Sequence, residues 1–212
     1  MQSFLSNIKK EWQFFAKNKS FRIQFIVTLI FLGLILYSLQ SFLSYVETRH
    51  GALIPDPILN LFSPVDVTWI TFFIIYFSLL AAVIYFISKP KLLLTAMTAY
   101  AVMVFFRIVA MYILPLEPPA KMIALADPFV EFFGQSQTLT RDLFFSGHTA
   151  IMFLFFLITK NKTLKYTFFA GTISIAVLVL IQHVHYSVDV FVAFFVSYCS
   201  YLIATKLTAK FN

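Results

Sequence analysis

Charge is the scarcest property of this sequence. Only 12% of its 212 residues are Asp, Glu, Lys or Arg, about half the ~25% of an average soluble domain. So little charge, beside 60% hydrophobic residues and 28 phenylalanines, excludes a soluble enzyme. A fold of this size cannot hide so many apolar side chains. The mean hydropathy of +0.87 agrees. Disorder is excluded too, since disordered chains are poor in aromatics and rich in charge. Cysteine is almost absent. Cys199 stands alone, which excludes an intramolecular disulfide and a cysteine-based zinc cluster. Runs that alternate polar and apolar residues are missing, so membrane strands are not expected. No internal repeat or low-complexity segment stands out. What remains is an all-α, polytopic membrane protein with one membrane domain.

A helix needs about 20 mainly apolar residues to cross the hydrocarbon of a bilayer. Six stretches meet or approach this: residues 21–46, 67–88, 92–114, 143–159, 166–181 and 187–205. The fourth and fifth are short. The first has too long an apolar run for a cleavable signal peptide and no Ala-x-Ala-like site after it, so it reads as a retained anchor. The expected organisation is a six-span helical bundle over 21–206, preceded by an arm at 1–20 and followed by a tail at 207–212.

The basic residues orient the spans. Lys9, Lys10, Lys17, Lys19, Arg22, Lys89, Lys91, Lys160, Lys162, Lys165, Lys206 and Lys210 all fall on one side of a six-span chain. That is 12 of the 16 Lys and Arg residues. Arg49, Lys121 and Arg141 fall on the other side, with Glu47, Asp56, Asp66, Glu117, Asp127, Glu131 and Asp142. The basic side is therefore expected in the cytoplasm, with both termini. The net charge of +7 then serves anionic lipid headgroups, and no nucleic-acid partner is expected. The arm, with Trp12, Phe14 and Phe15 among its lysines, reads either as an amphipathic surface helix or as a plain topogenic flank.

Polar groups inside spans are costly and are candidates for function. Three places hold them: Arg141-Asp142-Leu143-Phe144-Phe145-Ser146-Gly147-His148-Thr149, His183-Val184-His185-Tyr186-Ser187-Val188-Asp189-Val190, and Arg107. The topology puts all three near the outer face, with Arg107 about two turns before Leu114. His185 and Asp189 are four apart and would share a helix face. The carboxylate can hold one ring nitrogen and leave the other as a nucleophile. His148 can protonate a leaving oxygen. Ser146 and Gly147 open a helix, where free N–H groups favour an anion, and Gly147 allows close approach. Arg107 can hold a phosphate through its planar fork. Arg141 and Asp142 are further substrate-binding candidates. His50 reads as an ordinary interface residue, and His183 either lines the site or caps the fifth span. His-x-His lacks the spacing of a helical metal pair, so neither metal nor cofactor is expected.

These residues resemble a known family. Asp142-Leu-Phe-Phe-Ser-Gly-His-Thr149 resembles the Gly-Asp-x3-Ser-Gly-His-Thr motif of sphingomyelin synthases, and His185-Tyr-Ser-Val-Asp-Val190 their His-Tyr-Thr-x-Asp-Val motif. Phe106-Arg107, Met111-Tyr112 and Leu114-Pro115 look like that family's third span and outer loop. The resemblance covers roughly residues 92–205. Sphingomyelin synthases are a branch of the phosphatidic-acid-phosphatase type 2 superfamily. The resemblance implies a phosphohistidine on His185, oriented by Asp189, with His148 as the acid. The phosphoryl-containing group would pass to water, as in a phosphatase, or to a lipid hydroxyl, as in a headgroup transferase. The substrate would be a membrane lipid phosphate or phospholipid. Departures are visible. The chain has no Arg-Pro, and Leu178 and Val179 stand where the phosphatase branch carries Ser-Arg. Ser187 replaces Thr, and the outer loop from Pro115 to Thr140 is its own. The long N-terminal extension of the eukaryotic synthases is absent, so a bacterial inner-membrane protein with an outward-facing site is expected. The alternative is a non-catalytic lipid-binding protein or transporter that keeps the fold.

Overall fold

The computed structural model describes residues 2–127 and 139–211. Glu131 and the stretch 128–138 of the outer loop lie outside the described residues. Among the described residues seven α-helices follow one another: α1 (Gln2–Lys17), α2 (Lys19–Thr48), α3 (Thr68–Ile87), α4 (Pro90–Ile113), α5 (Gly147–Ile158), α6 (Lys162–Ile181) and α7 (Ser187–Thr208). No strand occurs among the described residues. An isolated β-bridge pairs Ala52 with Leu116. Five helices, α2, α3, α4, α6 and α7, are long and apolar enough to cross a membrane. Such helices are those of an integral, multi-pass membrane protein.

The helix starts follow from local chemistry. Asn18 accepts the Phe21 N–H and Asn161 the Leu164 N–H, each capping an orphan donor of a first turn. Pro90 occupies the first turn of α4, where its missing N–H costs nothing. Lys162 and Lys165, assigned to a loop from the sequence, lie inside α6 because Asn161 starts that helix earlier than hydropathy alone places it.

The expected fourth span, 143–159, differs most from its sequence reading. Its helix has only 12 residues, about 18 Å long against a hydrocarbon core of about 30 Å. Leu143, Phe145 and Ser146 precede it as irregular chain, yet all three are buried. Non-helical backbone at membrane depth is tolerated only where protein satisfies it. Here Arg107 donates to the carbonyls of Phe145 and Asp142, and Ser146 N–H donates to Asp189 O.

Small residues let the helices carrying the site approach closely. Ala99, Ala150, Ala193 and Ala204 are fully buried in one cluster with Met103, Val104, Phe145 and Leu154. Ser197 Oγ bridges α7 to α5, donating to Ala150 O at 3.0 Å. Thr95 and Thr208 join α4 to α7 at 3.0 Å. Helix α2 buries only Phe21, Thr28 and Val46, so it lies at the periphery against α4.

The two ends of the bundle are unlike. At one end Trp12 Nε1 donates to Ile87 O, and the Tyr85 hydroxyl accepts Lys160 and Asn161 N–H. This end carries most of the lysines. At the other end the loops interlock. Gln182, fully buried, donates to Thr68 Oγ1, Ile123 O and Ala124 O and accepts Val67 N–H. Gly51 approaches the backbone of Leu116 so closely that a Cβ would lie 2.5 Å from its carbonyl carbon. No larger residue fits there.

Candidate functional site at the loop-rich end of the bundle

Three helix ends meet where α4 finishes and α5 and α7 begin. His185 stands two residues before α7, and Asp189 is its third residue. The pair is thus not spread along one helix face, as the four-residue spacing suggests. Instead Asp189 reaches back over the helix start. Its Oδ2 lies 3.2 Å from His185 Nδ1 and accepts the Tyr186 N–H at 3.2 Å. One carboxylate oxygen therefore caps α7 and orients the imidazole. Both side chains are buried, with Asp189 at 0% and His185 at 3% exposure. The second carboxylate oxygen, Oδ1, is buried with no partner among the described residues.

Helix α5 presents its N-terminus beside this pair. Ser146 is its cap and accepts the Thr149 N–H at 3.4 Å. The first N–H groups of α5, from Gly147 onward, have no acceptor inside the helix, so they and the helix dipole favour an anion. His148 is half-buried, with its ring edge-on to Phe72 at 6.0 Å. It lies within electrostatic range of His185, Arg107, Asp142 and Asp127.

Arg107 is 6% exposed and turned inward. Its Nη2 pairs with Asp142 Oδ1 at 2.7 Å, and its Nη1 donates to Phe145 O. A Cβ on Gly147 would sit 3.0 Å from both Cζ and Nη1 of Arg107. Gly147 thus leaves the guanidinium room against the start of α5. Gly147→Ala is expected to push Arg107 aside, costing about 1–3 kcal/mol of stability as overpacking. Activity is expected to fall roughly 10–100-fold through misplacement. Turnover and chemical unfolding of the purified variant check both numbers.

Arg141 is not brought to the histidines. Its guanidinium holds Glu117 Oε2 at 2.9 and 3.1 Å and donates to Glu47 O at 2.8 Å, while its N–H meets Glu47 Oε1. It latches the chain before α5 onto α2 and the 117 loop. Asp142, the second of the two further candidates, faces Arg107. His50 lies on the surface, 3.8 Å from Glu117. His183 is separate from the His185–Asp189 pair and turns toward Phe62.

Two supporting groups carry no sequence signal. Asp56, in an irregular loop, is buried and distant in sequence, yet its Oδ2 accepts Ser187 N–H at 2.6 Å. Its Oδ1 accepts Ile58 and Leu59 N–H. Burial pushes this carboxyl up, but the hydrogen bonds from Ser187, Leu59 and Ile58 outweigh it and hold it below the ordinary carboxylate value. A carboxyl depressed on folding stabilises the fold above its unfolded pKa, and that stabilisation fades as pH falls through the folded value. Acid unfolding below about pH 4 is therefore expected to be steeper in the wild type than in Asp56→Asn, as followed by near-UV circular dichroism. Asp127 is the second group. It accepts a hydrogen bond from the Tyr76 hydroxyl on α3 and stands within range of His148.

Residues 141–206 match the family model of the PAP2 superfamily C-terminal. That segment is about a third of the chain, and the match supports PAP2 superfamily membership. It contains Ser146, Gly147, His148, His185 and Asp189 and ends within α7, whereas Arg107 reaches the site from outside it. No curated protein matches the chain.

Proposed function

We propose that this protein is a membrane-embedded lipid phosphate phosphatase or phosphotransferase that works through a phosphohistidine. The observation that carries the reading is the buried His185–Asp189 pair beside the start of α5, with His148 and Arg107 at its edge. The match of residues 141–206 to the PAP2 superfamily C-terminal supports it.

The chemistry follows from the geometry. Asp189 accepts a hydrogen bond from His185 Nδ1–H and holds that tautomer, which leaves the lone pair of His185 Nε2 for attack on phosphorus. The N–P bond forms as the bond from phosphorus to the leaving oxygen breaks. His148 gives its proton to that oxygen. Arg107 and the α5 N-terminus stabilise the charge that gathers on the phosphoryl oxygens. In the second half, water or a lipid hydroxyl attacks phosphorus, His148 takes its proton back, and the N–P bond breaks. The missing Arg-Pro and Ser-Arg elements favour a sphingomyelin-synthase-like branch, in which Arg107 takes over part of the phosphate grip. Asp142 would orient Arg107 in this role, and Ser146 and Gly147 would shape the anion pocket.

In the same reading α5 is a short sixth span, completed by the buried chain before it. The lysine-rich end and both termini lie in the cytoplasm of a bacterial inner membrane, α1 lies along the inner surface, and the site faces outward. Reporter fusions after Lys162 and after Asp127 are expected to label opposite compartments. Labels in the same compartment defeat the six-span arrangement. The enzymatic reading is tested by the purified protein against a lipid panel, assayed for released phosphate and for exchanged headgroups. Activity on none of the lipids, or full activity of His185→Ala, defeats it.

A further inference from the structure

A second cavity of about 160 Å³ lies at the loop-rich end, lined by Asp56, Asn60, Pro119, Lys121, His183 and Tyr186 among others. None of His148, His185 and Asp189 lines it. His183 and His185 are two residues apart, but their rings serve different places: His185 turns to Asp189, and His183 turns to this cavity and to Phe62, 5.2 Å away.

His183 carries one cost that nothing among the described residues explains. That cost is not its backbone: the left-handed φ of 57° closes α6, as His183 N–H donates to Leu180 O and Val184 N–H to Val179 O just past the helix end. Its Nε2 is buried without a hydrogen-bond partner among the described residues, in a side chain only 3% exposed. Buried polar atoms are almost always paired, so an orphan calls for a missing partner.

The charges around the cavity indicate the partner's chemistry. The Asp56 carboxylate is already filled by the N–H groups of Ile58, Leu59 and Ser187. The ammonium of Lys121, on an exposed residue, is the cation of the lining. Burial, and then Lys121, push the His183 ring below its ordinary pKa, against the pull of Asp56. A neutral imidazole can place its one proton on Nε2 and donate it. A cation and two neutral donors, His183 and Asn60, suit a small oxyanion. A volume of about 160 Å³ has room for a phosphate group.

We infer that this cavity is a second phosphate site, held by Lys121 and His183. The phosphate is either free inorganic phosphate or the phosphomonoester headgroup of an anionic lipid. The inference does not depend on the chemistry at His185.

The test uses the full chain carrying His185→Gln, with ring-15N histidine, in phosphatidylcholine nanodiscs. Removing His185 disables the proposed catalytic site, so the two readings fail separately. Inorganic phosphate is expected to shift the His183 ring signals saturably, with the signals assigned by their loss in His183→Gln. Lys121→Gln, on an exposed side chain that the fold does not need, is expected to weaken this binding about tenfold, as loss of one charge-assisted contact does. In nanodiscs containing phosphatidic acid, a shift present before phosphate is added identifies the lipid headgroup as the source. A shift that appears only with phosphate identifies the free ion. No saturable shift from either source overturns the proposal. So does a shift unchanged by Lys121→Gln, or one seen in the wild type and lost with His185→Gln.

Discussion

His185→Ala and His185→Gln are both expected to lower turnover by about three orders of magnitude or more, because neither side chain offers a nucleophilic nitrogen to phosphorus. The two differ in what they do to the fold. Alanine leaves Asp189, at 0% exposure, without its ring partner, whereas glutamine keeps an N–H donor in reach. His185→Gln should therefore unfold like the wild type, and its loss of activity reports on chemistry alone. Asp189→Asn isolates the orienting role. An amide can still cap Tyr186 N–H but cannot hold the imidazole in the same tautomer, and a loss of about 10²–10⁴-fold is expected, as for other orienting carboxylates. Asp189→Ala should add about 1 kcal/mol of lost capping at the start of α7. Single-turnover assays with acid quenching, followed by a search for phosphorylated His185, read the first half-reaction directly. Full turnover by His185→Gln removes the phosphohistidine from consideration.

Arg107→Met is expected to damage both stability and activity. It strips the partner from Asp142 Oδ1 and from the buried carbonyl of Phe145. Removing one side of a buried pair costs about 3–5 kcal/mol. The lower end applies here, since the Asp142 side chain keeps 29% exposure while Arg107 keeps 8%. Arg107→Lys keeps the charge but cannot serve two acceptors with a planar fork, so it should regain part of the stability and little activity. The double variant Arg107→Met with Asp142→Leu separates the two roles. It removes both charges together, and stability should recover in part, short of the lost bond to Phe145 O, while activity stays lost. Unfolding in mixed micelles gives the first quantity and turnover on a responsive lipid the second. If Arg107→Lys matches the wild type in both, Arg107 is only a counter-charge.

Much of this molecule is legible in its sequence because the bilayer imposes a simple rule. Apolar runs long enough to cross must be helical, and 67–88, 92–114 and 187–205 appear as α3, α4 and α7 within about two or three residues at each end. Uneven lysine placement is likewise readable, since it acts on local chain segments. The short motifs Ser146-Gly147-His148 and His185-x3-Asp189 are visible for the same reason: their residue types and spacing are local.

Long-range pairing is not local, and it decides the rest. Hydropathy marks 143–159 as a span, but only the protein's own hydrogen bonds from Arg107 and to Asp189 allow its first residues to stay irregular and buried. Two arginines, Arg107 and Arg141, look equivalent as phosphate ligands in a linear chain. Packing separates them, because α4 carries Arg107 into the bundle against Gly147, while Glu47 and Glu117 engage Arg141 near the rim. Asp56 caps α7 from 131 residues away, and Gln182 ties together loops that no spacing connects. The sequence by itself determined an all-helical membrane chain and the histidines and carboxylate of its candidate site. The tertiary structure alone decided which cations face that site and how a helix of 12 residues is anchored. Hydrophobic transfer acts residue by residue, but hydrogen-bond satisfaction depends on where the partner's chain happens to lie.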